Sequence, residues 1–264
     1  MTGKSLTVGA EKCGKVASFH TTHSPFTTHH SPVTTMTAAI LAGGLGTRLR
    51  SVVVDRPKVL ATVQGKPFLL HLLDRLAEAG IGKTVLLTGY RADQVLQAVG
   101  HNHRGMTLIH SVEPRPLGTG GALRNALKEL SSASVLLLNG DSWCDVDLTD
   151  FCDFHHELDA DVSMVLTRVN DAARFGAVTI GPGCEVERFE QKEADGSAWI
   201  NAGIYLIARR LIEDVPGGPA SLERDLLPRW LGQGNTVFGY CHSGPFVDIG
   251  TPESYADADW MLDI

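Results

Sequence analysis

The stretch Leu41-Ala-Gly-Gly-Leu-Gly-Thr-Arg-Leu-Arg50, followed by Asp55-Arg-Pro-Lys58, gathers glycines and cations into one short span. Gly43, Gly44 and Gly46 carry no Cβ, so the backbone can come close to a polyphosphate and aim its amides at the oxygens. Arg48 adds a guanidinium that grips two phosphate oxygens at once, and Lys58 adds a compact point charge. Together they describe an anion cradle. The order GxxxxGK[ST] is absent and the glycines do not fall as GxGxxG, so a P-loop and a dinucleotide cofactor site are both disfavoured. A glycine cluster by itself also describes a tight turn with solvated arginines, and the decision rests on what accompanies it.

Two further groups accompany it. Leu137-Leu-Asn-Gly-Asp141 delivers a carboxylate at the end of an apolar run, and Phe246-Val-Asp-Ile-Gly-Thr251 delivers a second, Asp248, in the same way. A lone aspartate at a strand end is more often a turn or cap residue. Two of them beside a polyphosphate would hold Mg2+, which prefers hard oxygen ligands and keeps waters and phosphate oxygens in its shell. Glu113-Pro-Arg-Pro-Leu-Gly-Thr-Gly-Gly-Ala122 feeds a helix whose first residues are small, so a flat ring can pack against backbone while the helix N-terminus faces an anion. Glu113 is acceptor-only, which suits the adjacent N1–H and N2–H donors of guanine. The alternative for Glu113 is a solvated acid.

These residues need elements to carry them. Residues 36–42 form a short apolar run that ends at Gly43-Gly44, as expected of a buried strand delivering a loop at its carboxyl end. Residues 67–79 repeat apolar positions at helical spacing, with Pro67 near the first turn and Gly80 as a C-cap. The order continues as strand 84–88, helix 91–99, strand 106–110, helix 120–130 and strand 134–138. Continuous hydrophobicity in the last of these fits a parallel strand covered on both faces. The alternation predicts an α/β fold, a doubly wound sheet with its ligand crevice at the carboxyl ends of the strands. After Phe154 the rhythm changes. Strand-like residues 161–167, 177–180, 186–189 and 204–207 are separated by turns, which predicts a small antiparallel or mixed insertion folded over the crevice, with room for a second substrate. A helix at 221–231, a strand at 246–249 and a helix at 252–262 complete the reading.

The 264 residues are 43% hydrophobic with a formal charge of −7, enough for one sizeable core. No Lys/Arg run offers a nucleic-acid surface, and no apolar run reaches the roughly 20 residues that cross a bilayer. The N-terminus lacks the apolar core of a secretory signal, so the expected location is the cytoplasm. Residues 1–35, rich in His, Thr, Ser and Pro from His20 onward, read as a disordered extension, with one domain over 36–264. Five cysteines without a CxxC pair read as structural thiols. His155 and His156 read as surface or hydrogen-bonded residues, Glu223 and Asp225 as part of a helix start, and Trp199 and Tyr205 as core or pocket-wall aromatics.

LAGGLGTRLR with RPK, EPRPLGTGGA, NGD, FGAV, FEQK, INAGIY, SLERDLLP and FVDIGTPESY occur in this order from Met36 to Ile264. Their order and spacing resemble the sugar-1-phosphate nucleotidylyltransferase family, and within it the D-glycero-D-manno-heptose 1-phosphate guanylyltransferase members. The resemblance implies a Rossmann-like catalytic domain that couples a nucleoside triphosphate, GTP in that group, to a sugar 1-phosphate and releases pyrophosphate. It further implies nucleotide contacts from Leu41, Ala42, Gly43, Gly44, Gly46, Thr47 and Arg48, base contacts from Glu113 and Gly118, and phosphate charge from Arg48 and Lys58. Asp141 and Asp248 match the magnesium aspartates. Gly176 and Asn201 match sugar-contacting positions, and Lys192 matches the lysine on the sugar phosphate. The family pattern FxEK is Phe189-Glu-Gln-Lys192 in this chain, so Gln191 stands where a sugar-binding carboxylate is usual. Mannose 1-phosphate with GTP and a UTP-dependent reaction are therefore open alternatives to the heptose reading. So are a nucleotide-binding regulatory protein without turnover and, more remotely, a hydride-transfer enzyme. Oligomeric state is open between monomer and homo-oligomer.

Overall fold

The computed structural model describes residues 32–44, 46–49, 51–170, 172, 175–190 and 196–261. The first half alternates strand and helix: β1 (Thr37–Ala42), the short pair β2 (Thr62–Val63) and β3 (Lys66–Pro67), α1 (Phe68–Glu78), β4 (Lys83–Thr88), α2 (Ala92–Val99), β5 (Asn102–His103), β6 (Met106–Val112), α3 (Gly118–Asn125) and β7 (Ser134–Asn139). The second half runs β8 (Ser142–Cys144), α4 (Leu148–Glu157), β9 (Val162–Val169), β10 (Val178–Ile180), β11 (Val186–Phe189), β12 (Ala198–Ala208) and α5 (Arg209–Glu213). A π-helical turn at Leu222–Leu226 leads into α6 (Leu227–Gly232), β13 (Val237–His242), β14 (Phe246–Asp248) and α7 (Pro252–Met261).

Eight strands form one mixed sheet in the order β13-β9-β12-β7-β1-β4-β6-β5. β1 pairs in parallel with β4 on one side and β7 on the other. The chain thus winds in opposite directions from β1, the doubly wound arrangement expected of alternating strands and helices. Side chains alternate between two apolar layers as the pleat requires: Leu136 and Leu138 join one core with α1 and α4, while Val135 and Leu137 join the other with α3 and α6. In α1, Phe68, Leu69, Leu72, Leu73 and Leu76 are all buried, each worth roughly 1.5–3 kcal/mol relative to exposure.

The strands after Phe154 are distributed differently from the expected insertion. β9, β12 and β13 join the main sheet, β12 running antiparallel between β7 and β9, while among the described residues β10 and β11 make a separate small hairpin and β14 pairs with β8. The turn spacing shows that the strands from β9 to β12 are not joined by crossover helices, but it carries no information on which distant edge each one pairs with. Residues 1–31 lie outside the described residues. Pro32–Thr35 form a 3₁₀ turn whose Val33 is 1% exposed, so the packed chain starts before Met36. Cys144, Cys152 and Cys241 are free thiols as expected, whereas Cys184 is disulfide-bonded. No helix among the described residues is long and apolar enough to cross a membrane.

His155 shows how tightly the α4 side of the sheet is closed. It is 2% exposed at the end of α4, with Nε2 facing Ser134 Oγ at 3.1 Å and Nδ1 facing Ser163 Oγ at 2.9 Å. Burial pushes its pKa down from 6.5 to about 4, with neighbouring His156 adding to the effect. The unfolded chain therefore binds the extra proton first as pH falls. The stabilisation is complete above pH 6.5 and is lost progressively down to about pH 4, by roughly 3 kcal/mol over that window. Denaturant midpoints measured from pH 7.5 to 4 should show this decline, and His155→Gln should flatten it; an unchanged slope in the variant would remove His155 as the cause.

Candidate functional site

β1, β4, β6 and β7 point the same way and end level, because the parallel registers align Leu41 with both Leu87 and Asn139, and Thr88 with Val112. The loops that follow them open around one mouth. Gly43 follows β1, Gly89 and Tyr90 follow β4, Glu113 to Pro116 follow β6, and Gly140 and Asp141 follow β7; all of these line a cavity of about 650 Å³. That is the carboxyl-end crevice at the switch point of the sheet, where ligands of open α/β folds bind.

Gly140 sets the position of the first carboxylate. Its amide donates to Leu41 O at 3.0 Å, and a Cβ at this position would lie 2.3 Å from the same oxygen. Only glycine lets β7 turn this closely against β1 and present Asp141 to the cavity. The chain then enters β8, which pairs antiparallel with β14 so that Ser142 faces Asp248. Ile249 N donates to Asp141 O at 2.9 Å. The backbones of Asp141 and Asp248, far apart in sequence, are therefore neighbours. Asp248 Oδ1 accepts from Gly250 N at 3.0 Å, and Gly250 is part of the cavity wall.

Lys58 Nζ donates to Asp141 Oδ2 at 2.6 Å, with side-chain exposures of 11% and 36%. The lysine is thus fixed in the cavity lining by the carboxylate it pairs with, and its own low exposure lessens solvent screening of its charge. Among the described residues no group of three or more His, Cys, Asp or Glu side chains is placed to cage a metal ion. Two carboxylates at adjacent strand ends, with Asp141 partly exposed to the cavity, fit magnesium, whose remaining ligands are commonly water and phosphate oxygens.

Glu113 is held on two sides. Its Oε2 accepts from Leu117 N at 2.8 Å, closing the turn that leads into α3. Its Oε1 lies against the chain after β4, where a Cβ on Gly89 would come within 2.4 Å of it. One oxygen thus closes the turn into α3, the other packs against the chain after β4, and Glu113 lines the cavity between them. Gly118, with φ of +70°, starts α3 beside it.

Of the residues singled out in sequence, Leu41, Gly43, Gly44, Gly46, Thr47, Arg48, Lys58, Glu113, Gly118 and Asp141 all line the one cavity. Ala42 is 2% exposed and lies in the core beneath it. Gly176 and Asn201 do not line it. They come near each other instead, since Ala177 bridges Ile200 and so sets Gly176 beside β12 next to Asn201. Gln191 and Lys192 lie outside the described residues. Sequence reasoning missed Gly89, Tyr90, Arg115, Thr119 and Asn139, which share the lining. Gly89-Tyr90 could have been found by the same rule as Gly43-Gly44, a glycine at the carboxyl end of a parallel strand.

Comparison with known proteins agrees with this geometry. The Nucleotidyl transferase family matches residues 37–262. The chain is 36% identical over 222 residues to the mannose-1-phosphate guanylyltransferase of Mycobacterium tuberculosis, covering 83% of this chain and 62% of that protein's length. It is 34% identical over 228 residues to the D-glycero-alpha-D-manno-heptose 1-phosphate guanylyltransferase of Aneurinibacillus thermoaerophilus, covering 86% and 98%. The crystal structure of HddC from Yersinia pseudotuberculosis complexed with GMP-PN superposes with a TM-score of 0.77 at 34% identity, over 86% of this chain and all of that one. With its glycine loop, its paired aspartates and its Rossmann-like mixed sheet, this chain belongs to the nucleotidyl transferase family.

Proposed function

We propose that the protein transfers GMP from GTP to D-glycero-D-manno-heptose 1-phosphate, forming GDP-heptose and pyrophosphate. The observation that carries the reading is the convergence of glycine-loop backbone, Arg48, Lys58 and Asp141 on one cavity at the switch point of the sheet. The guanine and heptose assignments draw support from the relatives that act on that sugar phosphate and from the neighbour complexed with GMP-PN. Mannose 1-phosphate is the second reading, favoured by the 36% identity to the Mycobacterium tuberculosis protein. The chain spans 62% of that relative's length.

The nucleophile is an oxygen of the sugar phosphate, already ionised near neutral pH, so no residue has to remove a proton from it. It attacks the α-phosphorus in line with the departing pyrophosphate, and the P–O bond to the leaving group breaks as the new one forms. Catalysis then rests on alignment and on fixed positive charge where negative charge accumulates. The amides of the glycine loop and the Arg48 guanidinium would face the departing phosphates, and Lys58 would hold its charge near the reacting phosphorus. Lys192 would grip the sugar phosphate, and Gly176, Gln191 and Asn201 would meet its hydroxyls. Asp141 and Asp248 would hold a magnesium ion, which supplies concentrated positive charge to the phosphate oxygens of both substrates. Glu113 would accept from guanine through the oxygen it does not spend on Leu117 N.

A pyrophosphate-release assay crossing four nucleoside triphosphates with heptose, mannose, glucose and N-acetylglucosamine 1-phosphates tests the proposal; no release with any pair refutes it, and preference for mannose selects the second reading. Asp141→Asn should lower kcat by about 10²-fold or more at saturating magnesium, with unchanged turnover excluding the proposed role. Glu113→Gln can keep the bond from Leu117 N through its amide oxygen but presents NH₂ to the base. Its preference for GTP over the other triphosphates should fall by about tenfold or more, and an unaltered panel would contradict base reading by Glu113.

A further inference from the structure

Behind the α3 wall of the cavity, polar side chains from three separate parts of the chain meet on one carboxylate. Tyr205 of β12 is fully buried, and a buried hydroxyl needs partners. Asn201 Nδ2 donates to Tyr205 Oη at 2.8 Å, and Tyr205 Oη donates to Glu223 Oε1 at 3.4 Å. Glu223 Oε2 accepts from Thr119 Oγ1 at 2.9 Å and from Ser221 Oγ at 3.1 Å. Leu222 N donates to Thr119 Oγ1 at 2.7 Å.

The proton directions in this set are forced. The Glu223 carboxylate has no proton to give, so Thr119 Oγ1 donates to it while accepting from Leu222 N. Tyr205 Oη likewise donates to Glu223 while accepting from Asn201 Nδ2. Burial and the nearby Glu223 carboxylate push the phenol pKa well above its ordinary value, which keeps it a donor. Only an acceptor-only group can collect all these protons. The chain brings Glu223 into place through the π-helical turn Leu222–Leu226, a departure from α geometry that recurs at functional sites. A backbone tie runs alongside, since Gly120 N and Gly121 N both donate to Ala220 O, at 2.9 and 3.1 Å.

We infer that Glu223 is a positioning residue whose carboxylate ties the α3 wall, at Thr119, to strand β12, at Tyr205 and Asn201. Thr119 lines the cavity, and Asn201 is the proposed sugar contact, so the tie holds the nucleotide-side and sugar-side walls in one relative setting. The identity of the substrate on each wall rests on the proposed transferase reading; the tie itself does not. Misalignment of reacting groups by about an ångström can cost on the order of 10²-fold in rate, so a strut between two half-sites would act on turnover more than on binding.

The test is a double-mutant cycle with Glu223→Gln and Tyr205→Phe, read by thermal unfolding and by steady-state pyrophosphate release at 25 °C. In Glu223→Gln an amide NH₂ must face a hydroxyl donor. The substitution should lower Tm by about 3 °C when Tyr205 is present but by less than about 1 °C in the Tyr205→Phe background. It should also reduce kcat per folded molecule about tenfold or more at saturating substrates, with KM values changed far less. Additive Tm changes would overturn the tie. Coupled Tm changes with kcat of Glu223→Gln within twofold of the unsubstituted protein would overturn the positioning role. If the unsubstituted protein releases no pyrophosphate, the transferase reading fails, and the Tm cycle still decides whether the tie exists.

Discussion

A single close approach, the Gly140 amide on the Leu41 carbonyl, governs the geometry of the whole crevice. It locks the end of β7 against the end of β1 at a separation that excludes any side chain. Everything after it is placed in consequence. Asp141 emerges toward the cavity and meets Lys58, β8 begins in the register that pairs it with β14, and Asp248 arrives beside Asp141. The level endings of β1, β4, β6 and β7 then turn four local loops into one wall. Parallel strands make this economical, because every carboxyl end they deliver lies on the same edge of the sheet.

The electrostatics follow the same logic. The chain carries 30 acidic against 23 basic residues, so nothing in its overall charge attracts a polyphosphate. The attraction is local. Arg48, Lys58 and Arg115 share the cavity with the glycine loop, and the low exposure of Lys58 lessens solvent screening of its charge. Asp141 has a double role in the proposed mechanism, as an ion ligand and as the group that fixes Lys58. A neutral side chain at that position would disturb both charges together. On the opposite arm of the site, Glu113 closes the turn into α3 through one oxygen and lines the cavity, so the proposed base recognition and the wall geometry would depend on one side chain.

The proposed sugar side is built on different principles. β12 runs antiparallel to β7 and is irregular between Asn201 and Tyr205, where its register against β9 shifts. Asn201, opposite Leu166, is the last residue paired with β9 before this break, and its side chain reaches the Tyr205 hydroxyl. The wall proposed for the nucleotide is thus held mainly by backbone packing at glycines, and the one proposed for the sugar by a hydrogen-bonded network of side chains. Backbone packing tolerates almost no change in shape, whereas side-chain networks can be altered one donor at a time.

Much of the nucleotide half was legible in sequence because its signals are local. An apolar run followed by glycines declares a buried strand and its loop within a few residues, and period-2 and period-3.6 patterns reflect the pleat and the helical turn. The glycine loop was found this way, Arg48, Lys58 and Glu113 by the charges beside it, and all of them line the cavity; the glycine rule applied to Thr88-Gly89 would have found Tyr90. Pairing between distant strands has no local signature. The adjacency of Asp141 and Asp248 depends on the β8–β14 register, the entry of β9, β12 and β13 into the main sheet on edge pairing, and the gathering of Asn201, Tyr205, Thr119 and Glu223 on three elements closing together. The sequence by itself determined which segments are strands, which turns require glycine and which side chains carry charge, since these depend on neighbours along the chain. Tertiary structure alone decided which of those charges meet, because register and packing between remote segments are set only when the whole core closes.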